Sequence, residues 1–159
     1  AYAAHINLQG AVPAMLDYRN RFQPSERFPQ PYAILTVSVA IGDDDAHAQE
    51  LGKLNDLLLL RLRSGQLGTY PRLEDAKAYE FSPLERQMID AMPMRAFIGS
   101  AEAVYQRLND LAERTQADEL MVTTFLPETH DRRRVVTEMA RMVAQHEGWS
   151  LATEPAGAR

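Results

Sequence analysis

A chain of 159 residues that is 45% hydrophobic and 25% charged, with a net charge of −5, has the composition of an ordinary globular domain with one core. No apolar run exceeds that from Leu57 to Leu60, against the roughly 20 residues a membrane-crossing helix needs, and the acidic balance argues against a nucleic-acid surface. The absence of cysteine excludes a disulfide framework and a thiolate metal site, and fits a reducing cytoplasm.

The chain opens on Ala1-Tyr2-Ala3-Ala4-His5-Ile6, with no basic n-region ahead of an apolar stretch. It starts directly in a strand-like pattern over Tyr2 to Ile6, so this end is expected to be a cut end. Gln9-Gly10 breaks the strand. Val12, Met15, Leu16, Arg19 and Phe22 then recur at helical spacing over Ala11 to Phe22, with Pro13 tolerated in the first turn. Pro24, Pro29 and Pro31 stiffen the connection to the clearest strand, Tyr32 to Ile41. That strand is β-branched and apolar on both faces, as suits a covered parallel strand. Gly42-Asp43-Asp44-Asp45 ends it and supplies an acidic N-cap. A helix follows over about Ala46 to Arg63, with Leu51, Leu54, Leu58 and Leu62 on one stripe.

Residues 64–82 hold Gly65, Gly68 and Pro71 amid scattered charge, and read as a long irregular loop. Ser82, Pro83 and Glu85 mark the cap, first residue and N3 of a short helix to Ala91. Ala96-Phe97-Ile98-Gly99 leads to Ser100, the expected cap of a helix from Ala101 to Gln116 with Val104, Leu108 and Leu111 inward. A third strand spans Glu119 to Leu126. A last helix spans Asp131 to His146, with Val135, Met139, Met142 and Val143 inward and Gly148 past its end. Met121, Met139 and Met142 are read as core residues, and residues 153–159 as a flexible tail. Arg132-Arg133-Arg134 lies among Glu128, Asp131 and Glu138 and reads as a solvated helix start of mixed charge.

Strands alternating with helices imply parallel strands joined by right-handed crossovers. Three such strands would leave open edges at Tyr2–Ile6 and Glu119–Leu126, so the pattern points to part of a larger sheet or barrel.

His47, His130 and His146 have no metal-ligand spacing, so no metal site is expected. A Walker loop, a nucleophile elbow and a dinucleotide fingerprint are also missing from the sequence. Phe97-Ile98-Gly99-Ser100-Ala101-Glu102-Ala103-Val104 followed by Ala117-Asp118-Glu119-Leu120-Met121-Val122-Thr123-Thr124 resembles the C-terminal part of the luciferase-like, flavin-dependent monooxygenases. Tyr2-Ala3-Ala4-His5-Ile6, Tyr18-Arg19-Asn20-Arg21-Phe22-Gln23-Pro24-Ser25 and Arg61-Leu62-Arg63-Ser64-Gly65-Gln66-Leu67-Gly68 are similar to segments of the same family, in the same order. Ala101 stands where the family commonly has proline.

The resemblance implies an α/β fold: a partial TIM-type (β/α)8 barrel, a fold normally of about 250 residues. Residues 1–152 would supply its last three strands with their helices. It implies reduced FMN as cofactor (a deazaflavin being the runner-up) and dioxygen as co-substrate for oxidising a small organic molecule. It places His5, Thr123 and Thr124 at strand ends: His5 would point at the flavin or the substrate, and of the two threonines, which alternate in direction, the inward one would donate its hydroxyl to the flavin edge or to an ordered water. Each has a plainer alternative: a strand-end histidine bonded to backbone, and threonines chosen for β-propensity. Ser38 is read as a small core filler. The 64–82 loop would be a lid excluding water, with Leu67 and Thr69-Tyr70 standing where relatives carry proline. Gly99-Ser100 is read as ordinary capping at the face of the barrel opposite the site.

The catalytic and phosphate-holding residues would lie in a missing N-terminal half, so the chain alone is expected to be inactive. Its partners would be that half or a second copy of the chain, with neither nucleic acid nor membrane. Two alternatives remain: a non-enzymatic half-barrel that self-associates, and a redox-inactive flavin-binding relative.

Overall fold

The computed structural model describes residues 1–66 and 68–147. The proposed tail at 153–159, the helix stop at Gly148 and Leu67 of the proposed lid lie outside the described residues. The elements follow in the order β1 (Tyr2–Ala3), α1 (Ala11–Arg21), β2 (Ile34–Ile41), α2 (Asp45–Arg63), α3 (Leu73–Ala78), α4 (Pro83–Asp90), β3 (Ala96–Gly99), α5 (Ala101–Thr115), β4 (Glu119–Thr123) and α6 (Thr129–Glu147).

All strand pairings are parallel, and all are made by β2. Along one edge β2 pairs β4, from Ile34↔Glu119 to Ser38↔Thr123. Along the other it pairs first β1 at Leu35 and Thr36, then β3 from Ser38↔Ala96 to Ile41↔Gly99. The β-branched, doubly apolar sequence of β2 accounts for this central place. Leu35, Val37, Val39 and Ile41 are buried to within 1% of full burial on one face. Ser38 and Ala40 alternate to the other. They share a cleft with Leu51, Leu54 and Leu58, so α2 covers that face, while α5 and α6 pack β2 from the opposite side.

The sheet therefore has four strands, not three. Ala96–Gly99 escapes sequence reading because it is only four residues long and ends in glycine. It pairs in parallel with the end of β2, and Gly42 N–H donates to Gly99 O (3.2 Å). Gly99 and Ser100 thus lie at the C-terminal end of β2, not at the opposite face. Ser100 is nonetheless an ordinary cap, its hydroxyl accepting from Ala103 N–H (3.4 Å). Tyr2–Ile6 is shortened to Tyr2–Ala3, because Ile6 N–H and Asn7 N–H both turn back onto Ala3 O. The 64–82 stretch contains α3, whose start is held by the Asp75 carboxylate accepting from Arg72 N–H (2.9 Å). Met142 is buried and Met139 packs against the core, but Met121 is 50% exposed, since among the described residues β4 has no partner on its outer edge.

Two distant segments are clamped at the N-terminal end of the sheet. Arg19 of α1 donates from Nε to Gln116 O (2.8 Å) and pairs with Asp118 (2.5 Å), and the Asp118 carboxylate also accepts from Ala33 N–H (2.7 Å). Gln116 closes α5 in the left-handed region at φ 52°, a conformation costing a non-glycine residue about 1 kcal/mol, which the Arg19 bonds to its carbonyl help offset. Among the described residues no helix is long and apolar enough to cross a membrane.

Asp118→Ala should lower stability by about 1–2 kcal/mol in urea denaturation, the lower part of the range for charge-assisted bonds because the carboxylate is partly exposed. Asp118→Asn, which keeps an acceptor for Ala33 N–H, should lose less. Equal losses would mean that the Ala33 bond contributes nothing.

Candidate functional site

Beyond the ends of β1 and β4 lies a pocket of about 350 Å³, within the size range of small-molecule sites. Leu58, Leu59 and Leu62 of α2, Ile6, Met94 and Phe125 form its apolar walls. Ser38 and Asn55 lie deeper, at the junction with a narrower cleft between β2 and α2. Ser38 is more than nine-tenths buried, and Asn55 is half-buried. Arg95 also lines the pocket, but its guanidinium is committed to the carbonyls of Met94 (2.7 Å), Asp90 (2.6 Å) and Ile89 (3.4 Å).

A larger cleft, about 570 Å³, lies on the other side of Arg95, between α1 and α5. Its other arginines are engaged: Arg107 lies over the Phe97 ring and donates to Ile98 O, and Arg114 pairs with Asp110. The smaller pocket, beside the strand ends and predominantly apolar, is the better candidate.

His5 lines this pocket. Its N–H donates to Thr36 O (3.1 Å), its Nδ1 lies 3.4 Å from the same oxygen, and its ring packs against Phe125 at 6.1 Å between centroids. Thr123 ends β4 opposite Ser38. Thr124 follows it, and its buried hydroxyl oxygen has no partner. Neither threonine lines the 350 Å³ pocket. The structure thus brings His5 to the pocket but not Thr123 or Thr124, and the buried Thr124 hydroxyl is unsatisfied. Such an orphan costs about 1–3 kcal/mol unless a ligand or water meets it.

Tyr70 reaches in from the 64–72 segment and donates its hydroxyl to Phe125 O. Part of the residue stays exposed, yet burial of the hydroxyl end pushes the phenol up to about 12. A charged knot holds the turn after β2. Arg134 pairs with Asp43 and with buried Asp131 (both 2.6 Å), and His47 Nδ1 accepts from Asp43 N–H (3.2 Å). Arg132 donates to Leu126 O and Pro127 O. Only Arg133 of the arginine run is the exposed residue that the sequence suggests, because Asp131 is buried and draws its neighbour inward.

The chain is 35% identical over 135 residues to the uncharacterized protein YvbT of Bacillus subtilis, covering 84% of this chain and 40% of that protein. It is 27% identical over 122 residues to a luciferase-like monooxygenase of Escherichia coli, covering 77% and 36%. The crystal structure of apo-MsnO8 superposes with a TM-score of 0.75 at 29% identity, covering 88% of this chain and 43% of that one. No family model matches. The monooxygenase and apo-MsnO8 likenesses support a luciferase-like oxidoreductase family. The chain spans about two fifths of the length of the curated relatives it matches.

Luciferase-like monooxygenases generally use reduced flavin, and the residues present are compatible with part of such a site. An apolar pocket with the His5 ring at its wall suits a planar ring system. No uncommitted cation among the pocket residues would hold a phosphate. Sequence reading missed Asn55, Tyr70 and Arg95, and took Ser38 for filler. Asn55 carried a usable signal: it stands within the stripe of Leu51, Leu54, Leu58 and Leu62, where a helix otherwise places apolar residues. Tyr70 carried none, since its contact with Phe125 crosses 55 positions.

In a spectrophotometric titration Tyr70 should be the last of the six tyrosines to ionise, and Tyr70→Phe should remove that last step. Because the folded phenol is raised, its stabilising effect is intact below the ordinary tyrosine value and is lost as pH rises toward about 12. A Tyr70→Phe curve still showing the late step would assign it to another tyrosine.

Proposed function

We propose that this chain is the C-terminal arc of a luciferase-like (β/α)8 barrel that oxidises a small organic molecule with reduced FMN and dioxygen. The observation that carries the reading is the apolar pocket at the strand ends, with His5 in its wall. The parallel sheet and the span of the match, 40% of YvbT and 43% of the apo-MsnO8 chain, support the idea of an arc. So does the outer edge of β4, unpaired among the described residues, which the first strand of a closed barrel would cover.

Flavin, when bound, would supply the electrons that reduce dioxygen. The chain's own residues would do the rest. Backbone bonds to Thr36 orient His5 toward the ring system. The Thr124 hydroxyl offers a donor. Tyr70, which lines the pocket and donates to Phe125 O, would belong to a lid that limits water. The missing three fifths of a barrel of the relatives' length would hold the phosphate and the catalytic groups.

A second reading rests on a specific observation. Met121, Val122 and Phe125 are exposed at or just beyond β4, so the chain would pair with a second copy along that edge.

Flavin fluorescence titration separates the readings. FMN should bind at least about tenfold more tightly when the chain is joined to a segment supplying the rest of YvbT's length than to the chain alone, and His5→Ala or Thr124→Ala should weaken that binding several-fold. A joined protein that binds FMN in neither redox state would sink the enzyme reading. A stable dimer of the chain alone in sedimentation equilibrium, dissociated by Val122→Lys, would favour the second.

A further inference from the structure

The 570 Å³ cleft between α1 and α5 plays no part in the strand-end pocket, yet it is large enough for a small molecule. Its apolar lining comes from Leu8 and Val12 about the start of α1, Phe97 of β3 and Leu111 of α5. Three guanidinium groups, those of Arg95, Arg107 and Arg114, share that lining, against the one carboxylate of Asp110 among the described lining residues. In a chain of net charge −5, this is a local excess of positive charge beside an apolar surface.

The α5 sequence accounts for the arrangement. Arg107, Leu111 and Arg114 are spaced i, i+4 and i+7, so they fall on one stripe of the helix. Each of the two arginines is fixed through one nitrogen. Arg107 Nη1 donates to Ile98 O (3.2 Å), and its guanidinium carbon lies 5.0 Å from the centre of the Phe97 ring. Arg114 Nη1 pairs with Asp110 at 3.1 Å, and its side chain is 61% exposed. A guanidinium is a planar fork of five N–H donors. Bonds made through one nitrogen orient it and leave further donors for a carboxylate or phosphate, the groups that match the fork. Arg95, bound to three carbonyls, adds charge.

The lining limits what the cleft can take. A cation would meet three like charges, a neutral molecule would gain only the apolar contacts, and an inorganic anion only the electrostatic ones. We propose that the cleft is a second ligand site, which takes an organic anion: a carboxylate or phosphate head drawn to Arg107 and Arg114, with an apolar body against Leu8, Val12, Phe97 and Leu111. Both walls belong to this chain, so the site depends neither on flavin nor on the rest of a barrel.

The test is a calorimetric titration of the full chain with 2-naphthoate, 2-naphthyl phosphate, 2-naphthamide and inorganic phosphate. The tighter of the two naphthyl anions, which identifies the head, should bind at least about tenfold more tightly than the amide and than inorganic phosphate. Arg107→Gln and Arg114→Gln should each weaken that anion by about 3- to 10-fold and leave the amide unchanged. A bare solvated helix face would take all four probes alike, and that result overturns the proposal. So does failure of both naphthyl anions to bind, and so does an affinity unmoved by either substitution, which would put the anion elsewhere. Where a variant fails to fold, the unmodified chain still decides: the bound anion should protect Arg107 and Arg114 from phenylglyoxal in peptide mass mapping, and equal labelling with and without it overturns the assignment.

Discussion

Every strand of the sheet is held by β2. One edge of Ile34–Ile41 carries β4, and the other carries β1 and β3 in succession. A strand with both edges consumed and both faces covered has no room for charge or proline, and its sequence, Ile-Leu-Thr-Val-Ser-Val-Ala-Ile, has neither. The departures from plain apolar character are Thr36 and Ser38, on the face toward α2. Thr36 O receives His5, and Ser38 opens into the pocket. The strand that organises the core thus also positions two pocket residues.

The rest of the pocket follows from that placement. Its β1 side is supplied by the turn carrying His5 and Ile6, its β4 side by Phe125, and its cover by α2 and Tyr70. The Phe125 backbone accepts Tyr70 while its ring meets His5. One residue therefore joins the cover, the wall and the strand end, and displacement of the 64–72 segment would be felt at all three. The pocket's polar side chains His5, Tyr70 and Arg95 are engaged with backbone carbonyls, and the clamp of Arg19, Asp118 and Ala33 is likewise paired, whereas the buried Thr124 hydroxyl has no partner.

The clamp also gives physical content to the family resemblance. Arg19 belongs to one of the resembling segments and Asp118 to another, and the two meet through a salt bridge across 99 positions. Segments that look unrelated along the chain make one joint, tying α1 to the start of β4 and both to the start of β2.

The sequence by itself determined the parallel α/β order, the central strand, the capping and stripe features that place the long helices, and His5 as a strand-end residue. These depend on local periodicity and on turn chemistry, which neighbouring residues carry. It left β3 unseen, because four residues ending in Gly99 hold too little periodicity to stand apart from a cap. It also took Met121 for core, because nothing local reveals that β4 lacks a neighbour on its outer edge. Only the tertiary structure decided that Ser38 and Asn55 share a pocket, that Tyr70 closes on Phe125, and that Gly99 lies beside the end of β2. These facts arise from contacts between residues far apart in sequence, and no local preference encodes which distant partner a buried hydroxyl, amide or strand edge will meet.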